Sequence, residues 1–403
     1  MANPSLRRSI GLPLLTLYGL GTILGAGIYV LIGEIVAVSG ATAPSAFLLA
    51  AVLAGITAFS FAELGSRIPK SAGEAAYVLA AFDRRWFSAV TGWAVVAVGI
   101  VSAATMTRGL VGYANVFVSL NPAVIVTVSV VALAAIAVWG IGESLFAAAA
   151  ITVIEIGGLV FVCVVAGDSF IPFAQNWQSV LPSFTTVSLV GIASGAFIAF
   201  YAFIGFEDIV NIAEEVKRPE RNLPLAIVIS LFVSTALYVL IAIVAVFAMP
   251  IDQLAGNEAP LALIVESRGL PRWTIAAISL LAVVNGALVQ MIMASRVIYG
   301  LSTDGLCWPW LGSVNRLTRT PAIATVLVAL AVLGLGLLLS LGQLARVTSF
   351  VSLSIFTAVN LSLWRLKLTT IDKPSFSVPT TVPAIGAILC IAMIAYEGVR
   401  SLS

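Results

Sequence analysis

Three carboxylic acids stand inside long apolar stretches of this chain. Glu155 lies in the run at residues 152–159, and Glu207 and Asp208 follow Gly205 in a second run. A carboxyl group in such surroundings can bind and release a proton, because burial penalises its charged form. Acids at these positions are costly to bury and usually mark a proton, ion or substrate pathway. The pattern therefore indicates proton chemistry in an apolar interior.

The residue types on which most enzymes rely are scarce. The 403 residues include no histidine, and the three cysteines, Cys163, Cys307 and Cys390, are far apart. This excludes catalysis by Ser-His-Asp or Cys-His sets and the usual zinc sites. We therefore expect a protein that is not an enzyme, holds no metal or cofactor and binds no nucleic acid.

The composition indicates the elements that must position these acids. Apolar residues make up 61% of the chain and charged residues only 9%, whereas soluble domains carry about a quarter charged residues. Because about 20 apolar residues cross a bilayer as a helix, the sequence predicts one all-α transmembrane domain over residues 1–403. Its eleven predicted spans lie near residues 12–36, 43–66, 87–112, 122–141, 144–167, 188–212, 224–248, 273–301, 322–341, 345–365 and 377–396.

The basic residues predict the orientation of these spans. With the amino terminus in the cytoplasm, 15 of the 20 Lys and Arg residues fall on the cytoplasmic side, and the exceptions are Arg108, Arg268, Arg272, Arg346 and Arg400. Cytoplasmic segments of membrane proteins carry such an excess. We therefore expect a multi-pass protein of the inner or plasma membrane, with a cytoplasmic amino terminus and a carboxyl terminus outside.

Two of the predicted spans are interrupted. The first has glycines crowded at residues 19–29, and the sixth has one glycine and two acids at residues 203–208. Close helix packing is one explanation for such glycines. The interrupted spans are, however, five apart, which predicts two five-helix halves in inverted orientation with a midplane site at the broken helices. Unwound backbone at such a site can bind the carboxylate and ammonium groups of a zwitterion.

Four motifs, in order, resemble a known family. They are GTILGAGIY at residues 21–29, FAELGSRIPKSAGEAAY at 61–77, EEVKRPERNLP at 214–224, and SRVIYG at 295–300 followed by Asp304-Gly305 and Arg319-Thr320-Pro321. They are similar to motifs of the amino acid–polyamine–organocation (APC) superfamily. Within it, the sequence most resembles bacterial relatives of the cationic amino acid transporter branch.

This resemblance implies a LeuT-type 5+5 inverted-repeat bundle with discontinuous helices 1 and 6. Repeat one would cover about residues 12–167, repeat two about 188–365, and an extra carboxyl-terminal helix about 377–396. Many family members have twelve spans, one more than predicted here. The substrate contacts carried over by motif are Thr22, Ile23, Gly25, Ala26 and Gly27 in the first span, and Tyr201, Phe203, Ile204, Gly205 and Phe206 in the sixth. Tyr201 takes the position of an aromatic gate.

Several polar residues allow more than one interpretation. Glu155 is a proton-coupling residue, a structural carboxyl or a contact for a substrate ammonium. Glu207 acts in gating or protonation, or is structural, and Asp208 caps the second half-helix. Asn285 and Gln290 in the eighth span either face the substrate or bond a neighbouring helix.

The remaining charges lie toward the two membrane surfaces. Arg108 either snorkels to the outer surface or steers an anionic substrate. On the other side, a set of charges forms either a cytoplasmic gate or a solvated loop. The gate residues are Glu63, Arg67, Glu215, Lys217 and Arg221.

We therefore predict secondary active transport of an amino acid, with a proton as the coupling ion. Obligate exchange of amino acids or polyamines is the alternative, and a channel or a transporter-like nutrient sensor are further ones. Thr22, Ala26, Phe203 and Phe206 favour a neutral or hydrophobic substrate side chain, whereas the resemblance to the cationic branch favours a basic one. The expected partners are the small-molecule substrate, the proton and the lipid bilayer; the sequence predicts no oligomeric state.

Overall fold

The computed structural model describes residues 8–25, 27–69, 73–140, 145–183, 185–369 and 375–402. Within these ranges the regular elements are helical, apart from one isolated bridge between Ile10 and Val216. The helices are α1 Leu12–Leu24, α2 Gly27–Ser39, α3 Ala43–Arg67, α4 Gly73–Phe82, α5 Arg85–Ala114, α6 Pro122–Trp139, α7 Leu145–Val165, α8 Phe170–Asn176, α9 Thr186–Phe203, α10 Asp208–Asn211, α11 Pro219–Ala248, α12 Ile251–Leu254, α13 Pro260–Ser267, α14 Trp273–Thr303, α15 Ala322–Leu338, α16 Leu341–Thr369 and α17 Thr381–Leu402.

By length and composition, the described residues contain nine helical segments able to cross a membrane. The first of them, Leu12–Arg67, contains α1, α2 and α3, and α15 is a shorter apolar helix of 17 residues. The predicted eleven spans would divide that first segment in two and would also include α15. The count of eleven therefore stays a prediction, whereas an all-helical, multi-pass architecture is confirmed.

Both predicted interruptions are present. α1 ends at Leu24 and α2 begins at Gly27, while Ala26 lies outside the described residues. α9 ends at Phe203 and α10 begins at Asp208, and between them Gly205 has φ +124°, a backbone conformation that residues with a side chain rarely adopt. Each break leaves backbone groups without their helical partners.

Small residues allow the broken helices to pack closely. A Cβ built at Gly27 would lie 2.5 Å from the Cα of Ala202, so α2 and α9 are in backbone contact. A Cβ at Gly21 would overlap the Thr152 hydroxyl, so α1 and α7 are equally close. Glycines at helix contacts in membranes typically serve this purpose. The packing therefore brings both breaks and α7 together in the middle of the bundle.

The structure also changes several predicted boundaries. α11 begins at Pro219, five residues before the predicted span, because a proline is well placed in the first turn of a helix. The connection after α11 contains α12 and α13, and the loop after α3 contains α4. These short helices are not predicted spans.

Candidate functional site

The two helix breaks face each other across a hydrogen bond. The Thr22 hydroxyl donates to the Gly205 carbonyl oxygen at 2.8 Å, and it also lies 3.0 Å from the Gly19 carbonyl oxygen in its own helix. A Cβ built at Gly205 would lie 2.6 Å from the Thr22 carbonyl carbon and 3.0 Å from the Ile23 nitrogen. The close approach of the two breaks therefore requires glycine at position 205.

A tyrosine from α11 joins the same two breaks. The Tyr238 hydroxyl lies 2.7 Å from the Ile23 carbonyl oxygen and 2.8 Å from the Ala202 carbonyl oxygen, and its single proton is shared between them. The Tyr238 ring also packs edge-on against Phe203, with 5.1 Å between ring centroids. Sequence reasoning did not identify Tyr238, although a lone tyrosine in an apolar span usually signals a hydroxyl that needs a partner.

Glu155 lies close to this junction and is fully buried. Its neighbours on α7, Thr152 and Gly158, contact α1 at Gly21 and α2 at Tyr29. Glu155 is therefore level with the break between α1 and α2. The Tyr29 hydroxyl donates to the Glu155 backbone oxygen at 2.5 Å, and Glu155 is within electrostatic range of the Tyr29 and Tyr238 hydroxyls.

A small cavity of about 30 Å³ lies against α1 at the junction. Uncharged residues line it: Tyr18, Gly21, Thr22, Met106, Ala148, Thr152, Asn285, Gly286, Val289 and Gln290. Three residues that the sequence predicts to contact substrate, Thr22, Asn285 and Gln290, are thus brought together. Gln290 also lines a second small cavity that Glu207 and Asp208 share.

A third cavity, of about 580 Å³, extends from this region to the surface, and we call it the vestibule. It is bounded by α1, α4, α5, α10 and α14, and it shares Tyr18 and Val289 with the small cavity. Its charged lining residues are Glu74, Asp208, Glu215, Arg296 and Asp304. Of these, Glu215 and Arg296 belong to segments that the charge distribution predicts to be cytoplasmic.

The other predicted substrate contacts are placed by helix packing. Ile204 is buried and extended, and the Gly25 backbone N–H donates to the Gly21 oxygen at 3.1 Å. The Tyr201 hydroxyl lies 3.3 Å from the Ser102 carbonyl oxygen. Phe206 packs against the rings of Phe61 and Phe356 at 5.5 and 5.3 Å. Their contact with a substrate stays a prediction.

Glu207 satisfies a backbone group that the break exposes. Its Oε2 accepts a hydrogen bond from the Gly205 backbone N–H at 2.8 Å. This contact fits the structural role that the sequence allows for Glu207. Asp208 is the first residue of α10, and Asn211, at the other end of this single turn, bonds its side chain.

The predicted gate residues fall into two groups. Glu63 is buried, bonds Arg67 at 2.9 Å and Lys367 at 2.7 Å, and also accepts from the Val378 backbone N–H at 2.7 Å. This group ties α3 to α16 and to the segment before α17.

The second group lies at the start of α11. The Glu215 carbonyl oxygen accepts from the backbone N–H groups of Ser9 and Ile10. Lys217 and Arg221 line a surface pocket with Gly11 nearby. The structure therefore places Glu63 and Arg67 apart from the vestibule and Glu215 on its wall.

Apolar helices of membrane-spanning length, broken in pairs around a buried polar junction, define a multi-pass membrane protein. A family model described as amino acid permease matches residues 10–397. The chain belongs to this amino acid permease family, which confirms the resemblance to the APC superfamily. It is therefore a permease and not an enzyme.

Individual relatives cover nearly all of the chain. It is 28% identical to the branched-chain amino acid permease BcaP of Bacillus subtilis, over 97% of this chain and 88% of that protein. It is 31% identical to the vacuolar cationic amino acid transporter 2 of Arabidopsis thaliana, over 91% of this chain and 61% of that longer protein. It is also 28% identical to the methylthioribose transporter of Bacillus subtilis, over 100% of this chain and 91% of that protein.

Proposed function

We propose that this chain carries an amino acid across the cytoplasmic membrane by alternating access, coupled to the uptake of protons. The observation that carries the proposal is the junction of the two helix breaks, where Thr22 bonds Gly205. One small cavity adjoins the first break at Thr22, and the second small cavity adjoins the other break at Glu207 and Asp208. Helix ends at such a break offer backbone N–H groups to a carboxylate and backbone carbonyls to an ammonium group. An amino acid carries both groups on one carbon atom.

The position of the breaks supports a LeuT-type 5+5 arrangement. One break lies between α1 and α2 and the other between α9 and α10, in the first and sixth of the eleven proposed spans. We propose repeats at about residues 12–167 and 188–365, followed by the extra helix α17. Rocking of one repeat against the other around a fixed site would then expose that site to each side in turn. The open vestibule corresponds to the state that faces the cytoplasm.

Glu207 is one proposed coupling residue, and Glu155 is the other. It is fully buried, level with the break between α1 and α2, and beside the Tyr29 and Tyr238 hydroxyls. A proton on Glu155 removes a charge that is costly at this depth. Binding and release of that proton can therefore bias the arrangement of the broken helices against α7.

The lining of the small cavity supports a neutral amino acid as the substrate. Thr22, Asn285 and Gln290 supply uncharged polar groups, and Met106 and Val289 supply apolar surface. Among the relatives, one is named for branched-chain amino acids and another for cationic ones. The absence of charged side chains from the described lining favours the first of these substrate classes.

Obligate exchange of amino acids or polyamines is the second candidate function. It is favoured by the burial of Glu155, whose side chain lines none of the three cavities described above. Proton-coupled transport needs a water path to the coupling residue in at least one state of the cycle, whereas exchange without proton coupling does not.

Thermal stability of the purified chain tests the substrate class. Each of the twenty amino acids is added in excess, because a ligand that binds the folded state stabilises it by about 2.7 kcal/mol at 100 times Kd. We expect branched or other apolar amino acids to raise the unfolding temperature and glutamate to leave it unchanged. Counterflow of the stabilising amino acid in proteoliposomes then tests transport. Stabilisation by none of the twenty, with no counterflow, would contradict the proposal.

A further inference from the structure

An acid cluster lies between the helix break at Gly205 and the vestibule, and neither the lining of the Thr22 cavity nor Glu155 belongs to it. It consists of Glu74 on α4, Glu207 in the break and Asp208 at the start of α10. Glu74 and Asp208 line both the vestibule and the second small cavity, and Glu207 lines the latter. Gln290 connects the second small cavity with the cavity at Thr22. These shared lining residues mark a path from the substrate site to the vestibule.

The three carboxyl groups are arranged in order along this path. Glu207 is held by the Gly205 backbone N–H, and it lines the second small cavity but not the vestibule. Glu74 in turn interacts with Asp208. Asp208 follows Glu207 directly in the chain and lines the vestibule together with Glu74, so it lies next to both.

Two buried acceptor atoms on this path lack donors. Asp208 Oδ2 and Gln290 Oε1 find no hydrogen-bond partner among the described residues, although Asp208 is 4% and Gln290 5% exposed. A buried acceptor without a donor is costly. A proton on Asp208 itself removes the charge that makes this unpaired acceptor most costly.

The other charged groups around the cluster are few. Arg296 and Asp304 of α14 and Glu215 line the vestibule, and Arg365 of α16 lies over the Phe82 ring at the far end of α4. The Tyr77 hydroxyl on α4 is buried. The charged members of the wall are therefore mostly acids, which favours holding a proton within the cluster.

Burial raises the pKa of Glu74 to about 7, and the neighbouring charge of Asp208 adds to this shift. Glu74 therefore changes its protonation near neutral pH, which suits a group that passes protons on.

We propose that Asp208 and Glu74 form a proton relay that conducts the proton of Glu207 into the vestibule. The relay rests on the proposed proton-coupled transport. In each step an O–H bond forms on the accepting carboxylate as the donor's O–H bond breaks, so Glu207 passes its proton to Asp208, Asp208 to Glu74, and Glu74 to water. Each carboxyl group returns to its ionised form, and the net change is the release of one proton.

Infrared titration of the purified full chain tests the relay without transport. In the wild type, a protonated carboxyl band should diminish near pH 7, and Glu74→Gln should lower the amplitude of this transition by the share of one carboxyl group. Asp208→Asn should move the transition to lower pH, because the neighbouring charge that raises the pKa of Glu74 is gone. An unchanged amplitude in Glu74→Gln, or an unshifted transition in Asp208→Asn, would overturn the relay.

Proteoliposomes supply the second readout. Glu74→Gln and Asp208→Asn should lower accumulation driven by a pH gradient by about 10²-fold, at the low end for a positioned proton-transfer group. Counterflow at equal pH, which needs no net proton movement, should stay within about twofold of the wild type. Asp304→Asn is the matched control, because it removes an exposed acid from the same vestibule, and it should transport like the wild type.

The outcomes separate the relay from the function on which it rests. If both variants accumulate substrate like the wild type, the relay alone is overturned. An equal loss of counterflow and accumulation in both variants would overturn it too. A wild type that shows counterflow but no gradient-driven accumulation would overturn proton coupling, and the relay with it.

Discussion

Substitution of Gly205 by alanine should stop transport while leaving the chain folded. The added Cβ would lie 2.6 Å from the Thr22 carbonyl carbon, whereas ordinary contacts begin at 3.4 Å. The two breaks must therefore separate by roughly 0.8 Å, and a displacement near 1 Å at a binding site can cost about 10²-fold in rate. The φ of +124° adds strain of about 1–3 kcal/mol for a residue with a side chain. We expect uptake to fall by about 10²-fold.

The assay is initial uptake of the stabilising amino acid in proteoliposomes, normalised to the amount of folded protein. Gly157→Ala is the matched control, because a Cβ at this glycine of α7 has no neighbour within 4 Å. It should transport like the wild type. Wild-type uptake by Gly205→Ala would show that the close approach of the two breaks does not form the site.

Three further predictions concern topology and packing. A reporter that is active only in the cytoplasm should be inactive when fused to Ser403, and an active fusion would contradict the eleven-span topology. Tyr238→Phe should destabilise the chain by about 1–3 kcal/mol, because the Ile23 and Ala202 carbonyls lose their donor; equal unfolding temperatures for variant and wild type would refute this. Glu63→Gln should destabilise the chain by about 3–5 kcal/mol, because the buried Lys367 loses its charged partner. The double variant with Lys367→Met should recover part of that loss in thermal unfolding.

The sequence predicts the helix breaks because glycines and acids interrupt otherwise apolar helical runs. Gly25 and Gly205 lie in spans that would otherwise be continuous apolar helices. Because glycine destabilises a helix interior, its presence there indicates a non-helical backbone. The same reasoning identified Glu155 and Glu207. Apolar runs likewise locate most long helices, because hydrocarbon requires a minimum length.

Contacts between residues that are far apart in the chain have no comparable signal in the sequence. The bond between Tyr238 and the two breaks joins residues that are 215 and 36 positions apart. The pairing of Glu63 with Lys367 likewise depends on the packing of α3 against α16. Glu74 belongs to the motif at residues 61–77, yet its position near Asp208 depends on the contact between Gly73 of α4 and Asn211 of α10. These contacts join residues that are far apart in the chain, so a single sequence does not specify them.

Accumulation driven by a pH gradient tests proton-coupled transport most directly. Proteoliposomes without sodium are loaded at a higher pH than the outer buffer, and the stabilising amino acid is supplied outside. The wild type should accumulate it above equilibrium, and collapse of the gradient by a protonophore should release it. Glu155→Gln, which keeps the shape of the protonated side chain but cannot release a proton, should bind the amino acid without accumulating it. Equal accumulation by Glu155→Gln and the wild type would contradict the assignment of Glu155, and no accumulation by the wild type would contradict proton coupling itself.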